Sequence, residues 1–193
     1  MKNLSELTDN QLVQCFRNGN NNALEILLGR YKEKIFSTIL FLVKDKFLAE
    51  DLFQDTFIKI VDTIRNNRYT EEGKFQPWAV RIAHNLCVDH FRKVKRAPLV
   101  QTSDDSDIFN LFNANEAAAD KKMIQEETRE RVRLMLNLLP QEQREIIVLR
   151  HYADLSFKEI AEVSNCSINT CLGRMRYGLI NMRRLLTEKQ IAL

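Results

Sequence analysis

The stretch SFKEIAEVSNCSINTCLGRMRYGLINMRRLL, residues 156–186, decides the fold class of this chain. Ser156 is followed three residues later by Glu159, a capping box that predicts the start of a short helix. Ser164–Cys166 then predicts a tight turn, and Ser167 can cap a second, longer helix. A short helix, a turn and a longer helix form a helix-turn-helix, the motif that places its second helix in the major groove of DNA.

The second helix of this motif is basic. No acidic residue lies between Ser167 and Thr187. Ser, Asn and Thr side chains can bond to base edges or phosphates, and Arg can hold guanine or phosphate through two hydrogen bonds. The pattern favours DNA binding, and an ordinary helical hairpin with a solvated basic face is the alternative. The residues behind this prediction are Ser167, Asn169, Thr170 and Arg174 at the N-terminal end, with Arg176, Arg183 and Arg184 further along.

Apolar residues predict how the motif packs internally. Ala161, Ile168 and Leu179 are expected to lie inside it. Cys166 and Cys171 flank the start of the second helix, where packing is favoured over a redox role. The N-terminus lacks the pattern of a secretion signal, so the four cysteines of the chain are expected to be reduced thiols.

The rest of the chain is also helical by its periodicity. Five Gly and three Pro in 193 residues supply too few turns for a β-rich fold. The 45% of apolar residues can bury a core, and no apolar run approaches the about 20 residues of a membrane-spanning helix. We therefore predict a soluble, cytoplasmic, all-α protein. The further predicted helices run from Thr8 to Gly19, over about 22–43, 48–64 and 78–95, from about Lys122 to Pro140, and over about 141–152.

The charge is distributed in blocks. Residues 1–96 carry 16 Lys and Arg against 12 Asp and Glu, and residues 121–193 carry 13 against nine. Residues 97–120 carry five acidic residues and no basic one. We predict two small helical domains, 1–96 and 121–193, joined by a flexible acidic linker, 97–120. The two basic domains suggest a polyanionic partner.

The predicted fourth helix places aromatic residues beside cations. Phe75, Trp78 and Phe91 accompany a basic segment that ends in Arg92–Arg96. Unpaired bases can stack on aromatic rings while cations hold the phosphate backbone, so this segment suits single-stranded nucleic acid. The alternative is ordinary core packing, because Trp78 and Ile82 are one helical turn apart.

The predicted third helix has the opposite character. Four acidic or polar residues stand beside Phe53 and Phe57: Asp51, Gln54, Asp55 and Asp62. A solvated helix face is one interpretation of these residues. The other is a surface that docks on a basic partner protein.

No residue pattern indicates an enzyme or a cofactor. His84, Cys87 and His90 recur every three residues, but on a helix His90 lies about 120° round from His84, so the three do not converge on a metal ion. No Ser/His/Asp arrangement and no phosphate-binding glycine loop is present in the sequence. We predict no catalytic site, no metal, no cofactor and no small-molecule substrate.

In this order, the segments resemble an alternative sigma factor of bacterial RNA polymerase, of the extracytoplasmic-function type (group IV of the sigma-70 family). The resemblance runs from about Asn22 to Leu186, apart from the linker. Asp51–Phe57 resembles the D-x-x-Q-D/E-x-F segment of the family's region 2, and residues 75–93 resemble the stretch that melts and reads the −10 element. Residues 138–161 and 167–174 resemble region 4, whose recognition helix reads the −35 element.

The resemblance implies core RNA polymerase and promoter DNA as partners, with an anti-sigma factor as an inhibitory one. His84 stands where many members carry Arg, and Leu172 where many carry Lys. The implied contacts to core polymerase are Asp51, Phe53, Gln54, Asp55 and Phe57. The implied −10 contacts are Lys74, Phe75, Trp78, Arg81, His84, Asn85, Asp89, Arg92 and Lys93, and the implied −35 contacts are Ser167, Asn169, Thr170, Gly173, Arg174 and Arg176.

Two other classes of protein share parts of this pattern. A free-standing helix-turn-helix repressor or activator would bind duplex DNA without polymerase and would use its N-terminal half for dimerisation or ligand binding. A protein-interaction module that mimics a sigma domain would bind polymerase but no promoter.

Overall fold

The computed structural model describes residues 4–70, 73–96 and 131–188. Within these ranges every regular element is a helix, which confirms the predicted all-α class. The predicted linker, 97–120, and the predicted helix start near Lys122 lie outside the described residues. No helix in the described ranges has the length and apolarity that crossing a membrane requires.

The N-terminal half contains four α-helices. A 3-10 turn, Leu4–Glu6, precedes them. Thr8 caps the first helix, where the sequence predicts its start, and forms a capping box with Gln11. Lys44 ends the second helix in the left-handed region, with φ 62°, and donates its N–H to Leu40 O at 2.8 Å. The helices are α1 (Asp9–Arg17), α2 (Asn21–Val43), α3 (Lys46–Arg65) and α4 (Phe75–Arg96).

The core of this half forms around α2, the central helix. Leu27, Ile35 and Ile39 on α2 are fully buried. α1, α3 and α4 all pack against α2, and Ala79 and Ala83 of α4 are buried. Burying each Leu or Ile side chain contributes about 1.5–3 kcal/mol relative to exposure, so this core fixes the positions of α3 and α4.

The C-terminal half begins with helical residues 131–138, here named α5. Pro140 separates α5 from the next helix, as the sequence predicts. The predicted capping box of Ser156 and Glu159 is confirmed: the Ser156 N–H donates to Glu159 Oε2 at 2.8 Å. The remaining helices are α6 (Gln141–His151), α7 (Phe157–Val163) and α8 (Ile168–Glu188).

The internal packing of the helix-turn-helix differs from the prediction. Cys171, Met175 and Gly178 are the buried residues of α8, whereas Ile168 and Leu179 are 45% and 42% exposed. At about 100° per residue, Ile168 and Leu179 lie about 60–80° round the helix from Cys171, at the edge of the buried stripe. The expectation that Ile168 and Leu179 lie inside the motif was therefore wrong.

The two halves pack against each other. α2 contacts α6, and α4 contacts α7. The rings of Phe41 and Tyr152 lie 4.2 Å apart between centroids, and Lys44 Nζ donates to Asn137 O at 2.8 Å. The two predicted domains are thus in direct contact in this structure.

Candidate nucleic-acid and protein interfaces

The N-terminus of α8 presents polar side chains to solvent. Ser167 caps the helix, because its Oγ accepts the Thr170 N–H at 3.1 Å and lies 2.8 Å from Thr170 Oγ1. Ser167, Asn169, Thr170 and Arg176 are all exposed. The structure therefore brings four of the six predicted −35 contacts together on one exposed helix end.

Arg174 is only partly available on the same helix. Its Nη2 lies 3.3 Å from Glu142 Oε2 on α6, and its side chain is 27% exposed. Beside it, Asn181 Nδ2 donates to Gln143 Oε1 at 2.8 Å. The flank of α8 that carries Arg174 therefore lies against α6 and its acidic residue.

The two glycines of α8 face different surroundings. A Cβ at Gly178 would lie 2.9 Å from Ile147 Cδ1, so this glycine lets α8 approach α6 closely. A Cβ at Gly173 would meet nothing within 4 Å. Packing within the described residues therefore does not require a glycine at 173.

The outer face of α4 is polar and exposed. Its exposed residues alternate with a buried stripe that includes Ala79, Val80, Ala83 and Cys87. Burial raises the pKa of the Cys87 thiol to about 12, so that thiol stays protonated at neutral pH. The predicted −10 contacts on the exposed face, or just before it, are Lys74, Arg81, Asn85, Asp89, Arg92 and Lys93.

The aromatic residues at the start of α4 form a packed cluster. Phe75 is 1% exposed and lies against Tyr31 and Tyr69, with ring centroids 5.5 and 6.0 Å away. Trp78 is half-buried, 4.4 Å from the Tyr69 ring. In this structure Trp78 reaches the surface in part, and Phe75 does not.

Two predicted −10 contacts touch the C-terminal half. His84 is 6% exposed, and its Nε2 lies 2.8 Å from Glu145 Oε1 on α6. Arg81 Nη2 lies 3.8 Å from Glu162 Oε2 on α7. Acidic groups of α6 and α7 therefore occupy part of the basic face of α4.

The predicted docking residues of α3 divide into two groups. Asp51, Gln54 and Asp55 are exposed. Phe53 and Phe57 are half-buried and pack inward: their ring centroids lie 4.4 Å apart, and Phe53 lies 5.4 Å from Phe36 in an edge-to-face contact. The polar residues can meet a partner directly, while Phe53 packs against Phe36 of α2.

Two apolar residues on the exposed face of α3 were not predicted from the sequence. Phe47 is 76% exposed and Ile58 is 59% exposed. Phe47, Asp51, Gln54 and Ile58 are spaced by four, three and four residues, so they form one stripe along the helix. Helical spacing from Asp51 could have found them, because both fall outside the buried positions of α3, which include Leu52 and Ile60.

Comparison with protein families accounts for both halves of the chain. The family model for sigma-70 region 2 matches residues 27–97, and the model for sigma-70 region 4 matches residues 129–175. Together the two matches span more than half of the chain, and region 2 precedes region 4. The chain belongs to the sigma-70 family, in its extracytoplasmic-function group.

Curated relatives of this sigma factor match over most of its length. The RNA polymerase sigma-H factor of Pseudomonas aeruginosa is 29% identical over 176 residues, which cover 89% of this chain and 90% of the relative. The ECF RNA polymerase sigma-E factor of Escherichia coli K12 is 29% identical over 177 residues, with 88% and 90% covered.

Solved structures share the fold of this sigma factor. CnrH, in a complex with the cytosolic domain of CnrY, is 21% identical with a TM-score of 0.66, covering 94% of this chain and 99% of CnrH. The sigma factor RpoE, in a complex with the anti-sigma factor NepR from Bartonella quintana, is 20% identical with a TM-score of 0.65, covering 85% and 96%.

Proposed function

We propose that this chain is an alternative sigma factor that binds core RNA polymerase and directs initiation at promoters with its own −10 and −35 elements. The observation that carries the proposal is the match to sigma-70 regions 2 and 4, in that order along the chain. The helices of these regions include α3 with its exposed acidic face, the basic helix α4, and the helix-turn-helix formed by α7 and α8. A free-standing repressor has no use for region 2. The chain therefore acts as a specificity subunit and supplies no catalytic group of its own.

We assign polymerase binding to the exposed face of α3. The carboxylates of Asp51 and Asp55 are exposed and suit a basic partner surface, and Gln54 can donate and accept hydrogen bonds between them. The exposed Phe47 ring on the same stripe adds the apolar contact that interfaces require at their centre. This face points away from α2, so a partner can reach it without disturbing the core.

We assign −10 recognition to α4 and to the residues just before it. Opening a duplex costs about 1–2 kcal/mol per base-pair step, and stacking on aromatic rings returns about 1–3 kcal/mol per base. Trp78 and Phe91 are rings on α4 that are partly open for stacking, and Lys74, Arg92 and Lys93 are exposed cations that can hold the phosphate backbone. These residues favour the separated strand over the duplex.

We assign −35 recognition to the N-terminal part of α8. Asn169, Thr170 and Arg176 are exposed there and can bond to base edges or phosphates in the major groove. The open space at Gly173 permits close approach of a DNA backbone. Because these contacts are made to duplex DNA, they complement the single-strand contacts of α4.

An anti-sigma factor is the inhibitory partner that we propose. The solved structure of RpoE that shares this fold contains the anti-sigma factor NepR. A partner that holds α4 against α6 and α7 would keep both DNA-reading helices from the promoter. Since a sigma factor works where polymerase and the chromosome are, we also propose a cytoplasmic location.

Polymerase binding tests the proposal directly. Replacing Asp51 and Gln54 by Ala should weaken the affinity for core polymerase at least several-fold, because both side chains are exposed and the core beneath is unchanged. Glu33→Ala, which removes an exposed carboxylate on α2, is the control. Unchanged affinity in the double variant, with the helical circular dichroism preserved in all proteins, would remove α3 as the docking surface.

A further inference from the structure

Two cysteines of the helix-turn-helix bring their sulfur atoms together. Cys166 ends the turn before α8, Cys171 lies in its first turns, and their Sγ atoms are 3.0 Å apart. Both are free thiols in this structure. Ser164 Oγ lies 3.3 Å from Cys166 Sγ and 4.0 Å from Cys171 Sγ, so one hydroxyl touches both sulfurs. The side chains thus converge on one point beneath the turn.

Backbone hydrogen bonds hold both cysteines in place. The Cys166 N–H donates to Ala161 O at 3.1 Å, and the Cys171 N–H donates to Ser167 O at 3.0 Å. The pair is therefore fixed by the end of α7 and the start of α8. A disulfide has an S–S bond of about 2.0 Å, so the two sulfurs need to approach by only about 1 Å to form one.

The two thiols differ in access, which assigns them different roles. Cys166 is partly exposed and Cys171 is fully buried, so an oxidant in solution meets Cys166 first. Burial, with the neighbouring Cys166, raises the pKa of the Cys171 thiol to about 11. Cys171 therefore keeps its proton at neutral pH and is shielded from oxidation by itself.

We infer that Cys166 and Cys171 form a peroxide-sensitive thiol–disulfide pair, and that the disulfide form of this sigma factor binds the −35 element less tightly than the dithiol form. The second half of this inference rests on the proposed function of α8. The first half rests on the position and access of the two sulfurs alone.

The chemistry requires a hydroperoxide as the oxidant. Cys166, as its thiolate, attacks the peroxide; the O–O bond breaks, and Cys166 becomes a sulfenic acid while water or an alcohol leaves. The sulfur of Cys171 then attacks the Cys166 sulfur, the S–O bond breaks, and the hydroxyl leaves as water with the Cys171 proton. In sum, two thiols and one hydroperoxide give one disulfide, one water and one water or alcohol.

The disulfide would affect the predicted −35 contacts because three of them lie between the two cysteines in the sequence. Ser167, Asn169 and Thr170 lie between the two cysteines, and Ser167 Oγ caps α8 through the Thr170 N–H. A binding site must hold its groups within about 0.5 Å of their productive positions. The fixed length and dihedral angle of a disulfide would constrain the turn and the first turn of α8, and we expect this constraint to take the enclosed groups out of that tolerance.

Mass spectrometry of the full-length protein tests the first half. Cleavage after Lys158 and Arg174 releases a peptide, residues 159–174, that contains both cysteines and no other. After treatment with hydrogen peroxide and alkylation, we expect this peptide to be lighter than the dithiol form by two hydrogen atoms and to carry no alkyl group. Cys166→Ser and Cys171→Ser should each prevent this, and Cys15→Ser, which changes another partly exposed cysteine, should not.

DNA binding of the same samples tests the second half. Affinity for a −35 duplex should fall several-fold on oxidation, recover with dithiothreitol, and stay constant in Cys166→Ser. A peptide 159–174 that keeps two alkylatable thiols after peroxide would overturn the pair. If the disulfide forms and the affinity for the −35 duplex does not fall, the inferred effect of the disulfide on −35 binding is wrong. If the reduced protein binds no −35 duplex, the assignment of α8 to the −35 element is wrong, and so is the inferred effect of the disulfide on DNA binding. The mass of peptide 159–174 still decides whether the disulfide forms.

Discussion

His84 Nε2 on α4 lies 2.8 Å from Glu145 Oε1 on α6, and the two side chains are 7% and 16% exposed. Arg81 and Glu162 form a second, more exposed pair between α4 and α7. The helix assigned to the −10 element is therefore held against the half assigned to the −35 element. The two promoter elements lie about 25 base pairs apart, or about 85 Å at 3.4 Å per base pair. On the proposed assignments of α4 and α8, we therefore expect the two halves to separate when they read both elements.

Removing the acidic partners of α4 should open the molecule. In the variant Glu145→Ala/Glu162→Ala we expect a larger radius of gyration by small-angle X-ray scattering and a several-fold higher affinity of the free chain for single-stranded −10 DNA. The buried pair at His84 carries most of this effect, because a hydrogen bond to a charged group contributes about 1.5–3 kcal/mol, whereas exposed pairs contribute about 0–1 kcal/mol.

Glu188→Ala is the control for losing a carboxylate elsewhere, because Glu188 pairs with Arg184 at the end of α8. Both variants remove carboxylates, but only the first removes contacts with α4. An unchanged radius and unchanged affinity in the double variant would mean that these contacts do not hold the closed arrangement.

Because Arg174 and Glu142 form an ion pair, we expect substitution of each by Ala to have opposite effects on −35 binding. Arg174→Ala should weaken binding to a −35 duplex by about 1–3 kcal/mol if the guanidinium grips a base. Glu142→Ala should strengthen it, because it frees Arg174 from the contact at 3.3 Å. In the double variant the gain from Glu142→Ala should vanish, since no arginine remains to be released.

Binding measured on duplexes with and without the −35 sequence separates the two uses of Arg174. Loss confined to the −35 duplex marks a base contact, and uniform loss on all duplexes marks a phosphate contact. Equal affinity of Arg174→Ala and the unmodified protein for every duplex would contradict both.

The two glycines of α8 give a pair of variants with the same chemical change. Gly173→Ala and Gly178→Ala both gain helix propensity, about 1 kcal/mol each. At 178 the new methyl group meets Ile147 and Gln143 on α6, and overpacking of this kind costs about 1–3 kcal/mol. We expect Gly178→Ala to unfold at lower urea than Gly173→Ala.

In a DNA-binding assay, the order of the two variants should be reversed, with Gly173→Ala the more affected. Gly173→Ala should remain folded and lose −35 affinity, because its methyl group projects into space that the protein leaves open. Full −35 affinity in Gly173→Ala would show that no partner approaches the backbone there.

The exposed apolar residues of α3 should contribute to polymerase binding. Phe47→Ala should leave the free energy of unfolding unchanged within about 0.5 kcal/mol, because the ring is 76% exposed, and should weaken polymerase affinity. Lys59→Ala, also exposed on α3 but about 120° round the helix from Phe47, is the control. Equal polymerase affinities for the two variants would exclude Phe47 from the interface.

Local interactions explain why much of the fold follows from the sequence. The capping boxes at Thr8 and Ser156 join residues three apart, so the sequence contains everything that determines them. The break at Pro140 has the same local origin. The helix-turn-helix and the order of the helices follow from such signals, together with 3.6-residue periodicity.

The arrangement of the two halves could not be predicted in this way. His84 and Glu145 are 61 residues apart in the chain, and periodicity shows which face of a helix is buried but not what covers it. The same limit applies to Ile168 and Leu179, which lie at the edge of the buried stripe of α8. Cys166 and Cys171 were expected only to pack, because their spacing of five residues does not reveal that both side chains turn toward Ser164.

Transcription in vitro tests the central claim most directly. The purified chain and core RNA polymerase, with no other sigma factor present, would be given a library of genomic promoters, and the start sites would be mapped. We expect start sites that share two upstream elements and that core polymerase alone does not use. Polymerase binding without such start sites, or binding to duplex DNA that excludes polymerase, would contradict the assignment of this chain as an initiating sigma factor.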